Sequence, residues 1–173
     1  MLSERMQEAI NGQLKAELYS GYLYLSMSAY LSSIGLPGFA RYMRVQRLEE
    51  VQHGLKFYDY IVESGGRVLL GPIDGPPIEW DSALAVAEAA MQHEKKVTGL
   101  INDLVKVAEE EGDQATRDFL QWYVKEQDEE EGSAEAVVSK IRSAGEAGPE
   151  SVDAELGQRP FKPKDAGLAG GIG

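Results

Sequence analysis

Along four stretches of the chain apolar residues recur at intervals of three, four or seven, and no stretch alternates with the period of two that a strand requires. From Ser3 to about Ser33 the positions are Met6, Ile10, Leu14, Leu18, Leu25 and Leu31, with Ser3 placed to cap the start and Gly35 to end it. A second stretch opens at Pro37, whose fixed φ suits a first helical turn, and carries Phe39, Met43, Val45, Leu48, Leu55, Tyr58 and Ile61 to a stop at Gly65 and Gly66. A third follows Asp81 and Ser82 with Leu84, Ala87, Met91, Val97, Ile101, Leu104 and Ala108, and ends near Gly112. A fourth runs from about Gln114 to about Ser143 with Phe119, Leu120, Tyr123, Val124, Val137, Val138 and Ile141. The spacing predicts four helices of about 28 to 30 residues, each about 40 Å long at ~1.5 Å per residue.

Residues 66–81, GRVLLGPIDGPPIEWD, carry three prolines and three glycines and break the pattern. So long a link is uncommon in a compact domain unless it crosses the length of a bundle, which lets the second and third helices run parallel. Val68, Leu69 and Leu70 are expected to pack across the bundle surface on the way. The predicted architecture is all-α: an up-down-down-up four-helix bundle over residues 1–145. A short fifth helix follows Pro149 within 146–157, using Val152, Ala154 and Leu156. A flexible tail occupies 158–173.

Composition narrows the chemistry. At 173 residues the chain fits one domain with a single substantial core. Its 17 Lys and Arg against 29 Asp and Glu give a formal net charge of -12, which repels nucleic acid and anionic membrane and favours cations. No apolar run approaches the ~18 residues of a membrane span, and MLSERMQEAI lacks the plan of a secretory signal, so a cytoplasmic location is expected. Cysteine is absent, which excludes disulfides, thiolate metal sites and iron–sulfur ligation. Any metal must sit on oxygen and imidazole nitrogen.

The polar exceptions on the apolar faces fit that requirement. Glu17 lies between Leu14 and Leu18 on the core-facing stripe of the first helix, and a buried carboxylate is costly unless paired or metal-bound. Glu50 and His53, three apart, project from one face of the second helix and can share a metal. Glu94 continues the inward face of the third, and Gln127 and Glu130 repeat the three-residue spacing on the fourth. Glu17, Glu50, Glu94 and Glu130 each lie about 12 to 16 residues into their helices, so all are near mid-helix and can meet whichever way each helix runs. Several carboxylates cannot all stay ionised in an apolar interior, and divalent cations resolve the repulsion. An oxygen-rich set with one imidazole suits non-haem iron better than zinc. Taken alone, each signal is more often something plainer. A single Glu-x-x-His usually lies on a solvated face, Tyr24 is core packing, and Glu109 to Glu111 is a solvated helix end. Asp128 and Glu131 are expected outward, and His93 beside the site or at the surface.

Glu17, Glu50-x-x-His53, Glu94 and Gln127-x-x-Glu130, on helices of this order and length, together resemble the prokaryotic (bacterial and archaeal) non-haem ferritins. The stretches NGQLKAELYSGYLYLSMSAY and FLQWYVKEQDEEE extend the likeness well beyond the candidate ligands. The resemblance implies a ferritin-like four-helix bundle acting as a ferroxidase, which oxidises Fe(II) with O₂ or H₂O₂ for iron storage and detoxification inside a homo-oligomeric shell of about 24 subunits. It implies that Glu17, Glu50 and His53 hold one iron and Glu50, Glu94 and Glu130 the second, with Gln127 beside the pair. Glu49, Glu126 and Glu129 match a third-iron site that shares Glu130. Tyr24 and Trp122 match aromatic residues able to supply electrons.

The chain departs from neighbouring families in specific places. Bacterioferritin repeats Glu-x-x-His on the fourth helix, where Gln127 and Glu130 stand, and places a haem-ligating methionine where Gln52 stands; no haem is expected. The fifth-helix segment GPESVDAELGQRP is short and carries Glu150, Asp153 and Glu155, which suggests a polar or open pore or a different subunit arrangement. Arg117 and Leu120 stand where animal ferritins place iron-guiding acids. Two other classes stay open: a non-storage di-iron oxidoreductase of the rubrerythrin or bacterioferritin type, and a structural bundle with hydrogen-bonded glutamates.

Overall fold

The computed structural model describes residues 2–145 and 148–161. They form α1 (Glu4–Ser33), α2 (Pro37–Glu63), α3 (Ala83–Glu110), α4 (Gln114–Ser143) and α5 (Glu150–Leu156), and no strand occurs among the described residues. The expected all-α bundle with a short fifth helix is the observed fold. The expected flexible tail falls mostly on 162–173, outside the described residues.

Helix ends follow from local chemistry. Ser3, Ser82 and Asp113 each accept a backbone N–H of the first turn that begins beside them, from Met6, Ala85 and Thr116 respectively. Gly35, Gly65 and Gly112 sit at positive φ (82°, 73° and 65°) where α1, α2 and α3 stop, a backbone conformation open to glycine at little cost. The start of α2 differs, because its cap Leu36 has no side-chain acceptor. Asp153 of α5 supplies one from across the molecule, taking the N–H groups of Gly38 and Phe39 at 2.9 and 2.8 Å.

Two apolar clusters mark the helix directions. One joins the late residues of α1 (Leu23 to Leu31) with the early residues of α2 and α3 and the late residues of α4. The other joins early α1 (Met6 to Leu14) with late α2, late α3 and early α4. Hence α1 and α4 run one way and α2 and α3 the other, and residues 64–82 must travel the whole bundle. Polar residues of α1 guide that strap. Gln7 accepts the Arg67 N–H, while Asn11 both donates to Arg67 O and accepts from Leu69 N at 3.0 and 2.7 Å. Farther along, Ser26 donates to Pro77 O at 2.6 Å and Tyr30 meets Trp80. The strap is therefore held through side chains along α1. Of its apolar trio only Val68 packs on the core, and Leu69 and Leu70 are exposed. Leu25, Leu48, Leu55 and Tyr58 are also exposed, on the outer faces of α1 and α2.

Candidate metal centre

Between the two clusters lies a belt of buried polar residues. Glu17, Glu50, His53, Glu94 and Glu130 are all 1–2 % exposed, and Glu49, Glu126 and Gln127 are buried with them. His53 Nδ1 lies 3.7 Å from Glu50 Oε2 and 4.0 Å from Glu17 Oε2, and its Nε2 lies 3.8 Å from Glu126 Oε1. Two sets of side chains could each hold a metal ion, Glu17 with Glu50 and His53, and His53 with Glu126 and Glu130, their ligand atoms within 4.8 Å of one another.

Every helix of the bundle contributes, and each contributor is held by a neighbour. Gln13, one turn before Glu17, donates to its Oε1 at 2.7 Å. Gln46 Nε2 donates to Glu130 Oε2 at 2.9 Å. The Tyr24 hydroxyl donates to Glu94 Oε1, and Gln127 Nε2 reaches Glu94 Oε2 at 3.2 Å. Tyr123 donates to the backbone carbonyl of His53 at 2.7 Å, and Trp122 meets the imidazole edge-on at 5.5 Å. Among the described residues Glu50 Oε1 and His53 Nε2 are buried without a hydrogen bond. Buried ligand atoms left without a hydrogen bond are costly in a metal-free protein and natural in a metal site.

Electrostatics point the same way. Burial, then the neighbouring Glu50, pushes the Glu17 carboxyl up to about 8. Glu50 is raised well above the carboxylate range by burial, then by Glu94 and Glu130. Glu94 rises to about 7 through burial and Glu130. The carboxyl groups thus hold protons near neutrality that a divalent cation would replace.

The other sequence-derived positions fall as follows. Glu129 and Asp128 are exposed, whereas Glu131 is half-buried and accepts the Thr98 hydroxyl at 2.5 Å. His93 is half-buried with Nε2 2.7 Å from the Ser20 hydroxyl, and burial lowers it to about 4. Glu94, engaged by Tyr24 and Gln127, lies outside both three-residue sets. Gln13, Gln46, Tyr123 and Arg159 were not anticipated. The first two have a sequence signal, each lying four residues before an inward glutamate on the same helix face; Arg159 has none.

A four-helix bundle with one long crossover and inward carboxylates from facing helices defines the class of ferritin-like di-metal proteins. Within that class the ferritin-like domain family matches residues 7–144, and the chain belongs to it. It is 45% identical over 159 residues to the bacterial non-heme ferritin of Bacteroides fragilis, covering 92% of this chain and 100% of that protein. To the bacterial non-heme ferritin of Escherichia coli O157:H7 it is 35% identical, covering 86% of this chain and 90% of that one. Among solved structures it resembles an open pore ferritin from the hyperthermophilic archaeon Archaeoglobus fulgidus, with 51% identity, TM-score 0.90, and coverage of 92% of this chain and 100% of that one. An engineered closed form of the A. fulgidus ferritin matches with TM-score 0.91, covering 94% and 100%.

Proposed function

We propose that this chain oxidises ferrous iron at the buried belt and stores the ferric product inside a homo-oligomeric shell. The observation that carries the reading is the meeting of Glu17, Glu50 and His53 in the buried interior, with Glu17 Oε2, Glu50 Oε1 and His53 Nε2 left without hydrogen bonds. In this reading Glu17, Glu50 and His53 receive one ferrous ion as substrate, and Glu50, Glu94 and Glu130 the second, with Gln127 steadying Glu94 from the side. Each ion gives up one electron, and the pair delivers two to dioxygen or peroxide. Entry of the ions displaces the protons held by Glu17 and Glu94. Gln13 and Tyr123 keep Glu17 and His53 in place before metal arrives, which limits the reorganisation needed on binding. Tyr24, bonded to Glu94, and Trp122, against His53, are placed to lend a further electron. Glu49, Glu126 and Glu129 with Glu130 form the candidate third position.

Assembly is supported by the exposed apolar side chains of α1, α2 and the strap, among them Tyr22, Leu25, Val62, Leu70 and Ile78, which offer apolar surface to a neighbouring subunit. The short polar fifth helix and the likeness to an open pore ferritin favour a shell with a polar or open pore. Among the described residues no helix is long and apolar enough to cross a membrane, in keeping with the proposed cytoplasmic location.

Aerobic addition of Fe(II), followed by absorbance and particle size, tests the reading. Storage predicts far more iron retained than the site can ligate, whereas a non-storage di-iron oxidoreductase predicts about two ions per chain. Glu50→Ala is expected to slow the rapid phase at least about 100-fold with the fold intact. An unchanged rapid phase in that variant would refute the assigned centre.

A further inference from the structure

The chain also carries a cation of its own into the belt. Arg159 lies three residues beyond α5, its backbone N–H turned back onto Leu156 O. Its Nη2 donates to Glu49 Oε2 at 2.7 Å and its Nη1 to Gln46 Oε1. Gln46 in turn donates to Glu130 Oε2 at 2.9 Å. The guanidinium sits 4.7 Å over the centre of the Tyr42 ring. Glu49 and Gln46 are only 3 % and 5 % exposed, so an arginine from the surface reaches a buried carboxylate.

The platform beneath Arg159 is firmly seated. Asp153 is fixed on the start of α2, and Arg41 Nε donates to Gly157 O at 2.9 Å. Gly157 lies so close to α2 that a Cβ there would come within 2.9 Å of Gly38 Cα. Beside the guanidinium an open cleft lined by Ser133, Lys140 and Glu155 leaves room for the side chain to swing outward.

We propose that Arg159 is a tethered stand-in cation at the third-metal position, which a third metal ion must displace in order to bind. The inference rests on the di-iron reading, because that position takes Glu49, Glu126 and Glu129 as its carboxylates and shares Glu130 with the pair. A guanidinium bonded to Glu49 uses oxygen lone pairs that a metal would need, and a divalent ion arriving beside it meets a like charge in a poorly screened interior. Glu17, Glu50 and His53 make no contact with Arg159 in the hydrogen-bond and ion-pair network of the described residues. The Glu17–Glu50–His53 position is therefore free of this competition and fills first. The third position fills only as Arg159 turns into the cleft, so this residue sets how readily an ion passes from the pair to that side of the belt.

Anaerobic calorimetric titration of the full-length protein with Zn²⁺ alone separates these steps without any oxidation. The native chain is expected to take two ions tightly and a third more weakly. In Arg159→Gln the third step tightens by about tenfold or more, and adding Glu49→Gln to that variant abolishes the gain. Arg159→Lys keeps the charge but loses the fork and is expected to fall between, which also provides a reading should Arg159→Gln melt early. Superimposable third steps in the native, Gln and Lys chains would overturn the proposal, as would a gain that survives Glu49→Gln. Glu50→Ala serves as a separate check, since it should remove the first two steps in every background. If it leaves the ion count unchanged, the di-iron reading itself fails and the proposal with it.

Discussion

At the end of the bundle where α1 begins, Phe57 stacks on Tyr123 at 4.0 Å and Tyr60 on Phe119 at 3.9 Å between ring centres. One to two turns back along α2 and on along α4, the same two helices face each other with His53, Glu50, Glu126 and Glu130. The aromatic end gains free energy by excluding water, and the belt loses it by burying carboxyl groups that repel one another. Tyr123 belongs to both, since its ring stacks in the apolar end while its hydroxyl fixes the His53 carbonyl. The contrast teaches that the belt is tolerated because the helices carrying it are clamped on either side by apolar clusters.

The sharpest way to break that comparison is at the clamp. Phe57→Ala removes a fully buried ring and is expected to cost about 3–5 kcal/mol in urea unfolding, while Glu50→Ala in the belt should leave the metal-free stability equal or higher. If the two substitutions destabilise alike, the division of labour is wrong. The second prediction concerns pH. Glu17 and Glu94 titrate near 8 and 7 in the folded chain, above their unfolded value of 4.5. Between those values the folded protein binds more protons than the unfolded one, so its stability falls with rising pH. The contribution of these two groups is fully present below about pH 4.5, declines up to about pH 8 and is then level. Metal reverses the trend, because it binds the deprotonated ligands; stabilisation by added Zn²⁺ should be larger at pH 8 than at pH 6. Melting temperatures with and without chelator at the two pH values decide the matter, and parallel shifts would remove the belt carboxyls as the cause. The smallest effect is expected at the other end, where Asp153→Ala takes away the borrowed cap of α2 and should cost about 1 kcal/mol.

Much of this was legible from residue spacing. Periods of three and four located all four long helices, and Ser3, Ser82, Pro37 and the glycines marked their ends because capping is local chemistry. The belt was legible for the same reason: a glutamate on an apolar stripe, such as Glu17, is conspicuous. Periodicity could not separate the core-facing Met43 and Phe57 from the outward Leu48 and Leu55, since α2 is apolar on more than one face. Of the fifth-helix acids that suggest a polar or open pore, Asp153 caps α2 and Glu155 pairs with Lys140 within the chain. The contact of Asp153 with α2 joins residues more than a hundred positions apart, and no pattern along the sequence encodes it. Arg159 is a further case, reaching Glu49 across 110 positions.

The strap between α2 and α3 also imposes an order of assembly. Glu17, Glu50 and His53 all precede it, within a single antiparallel helix pair, whereas Glu94 and Glu130 follow it in the other pair. Pairing within each half closes short stretches of chain and is fast; docking the halves must wait for the strap to be laid along α1, a slower, longer-range step. During synthesis, which proceeds from the N-terminus, the first half carries three potential ligands before any residue of the second exists. On the proposed di-iron reading, a nascent chain would hold one ion but could not complete the pair, and two-electron chemistry would be withheld until the last docking event has closed the interior to water.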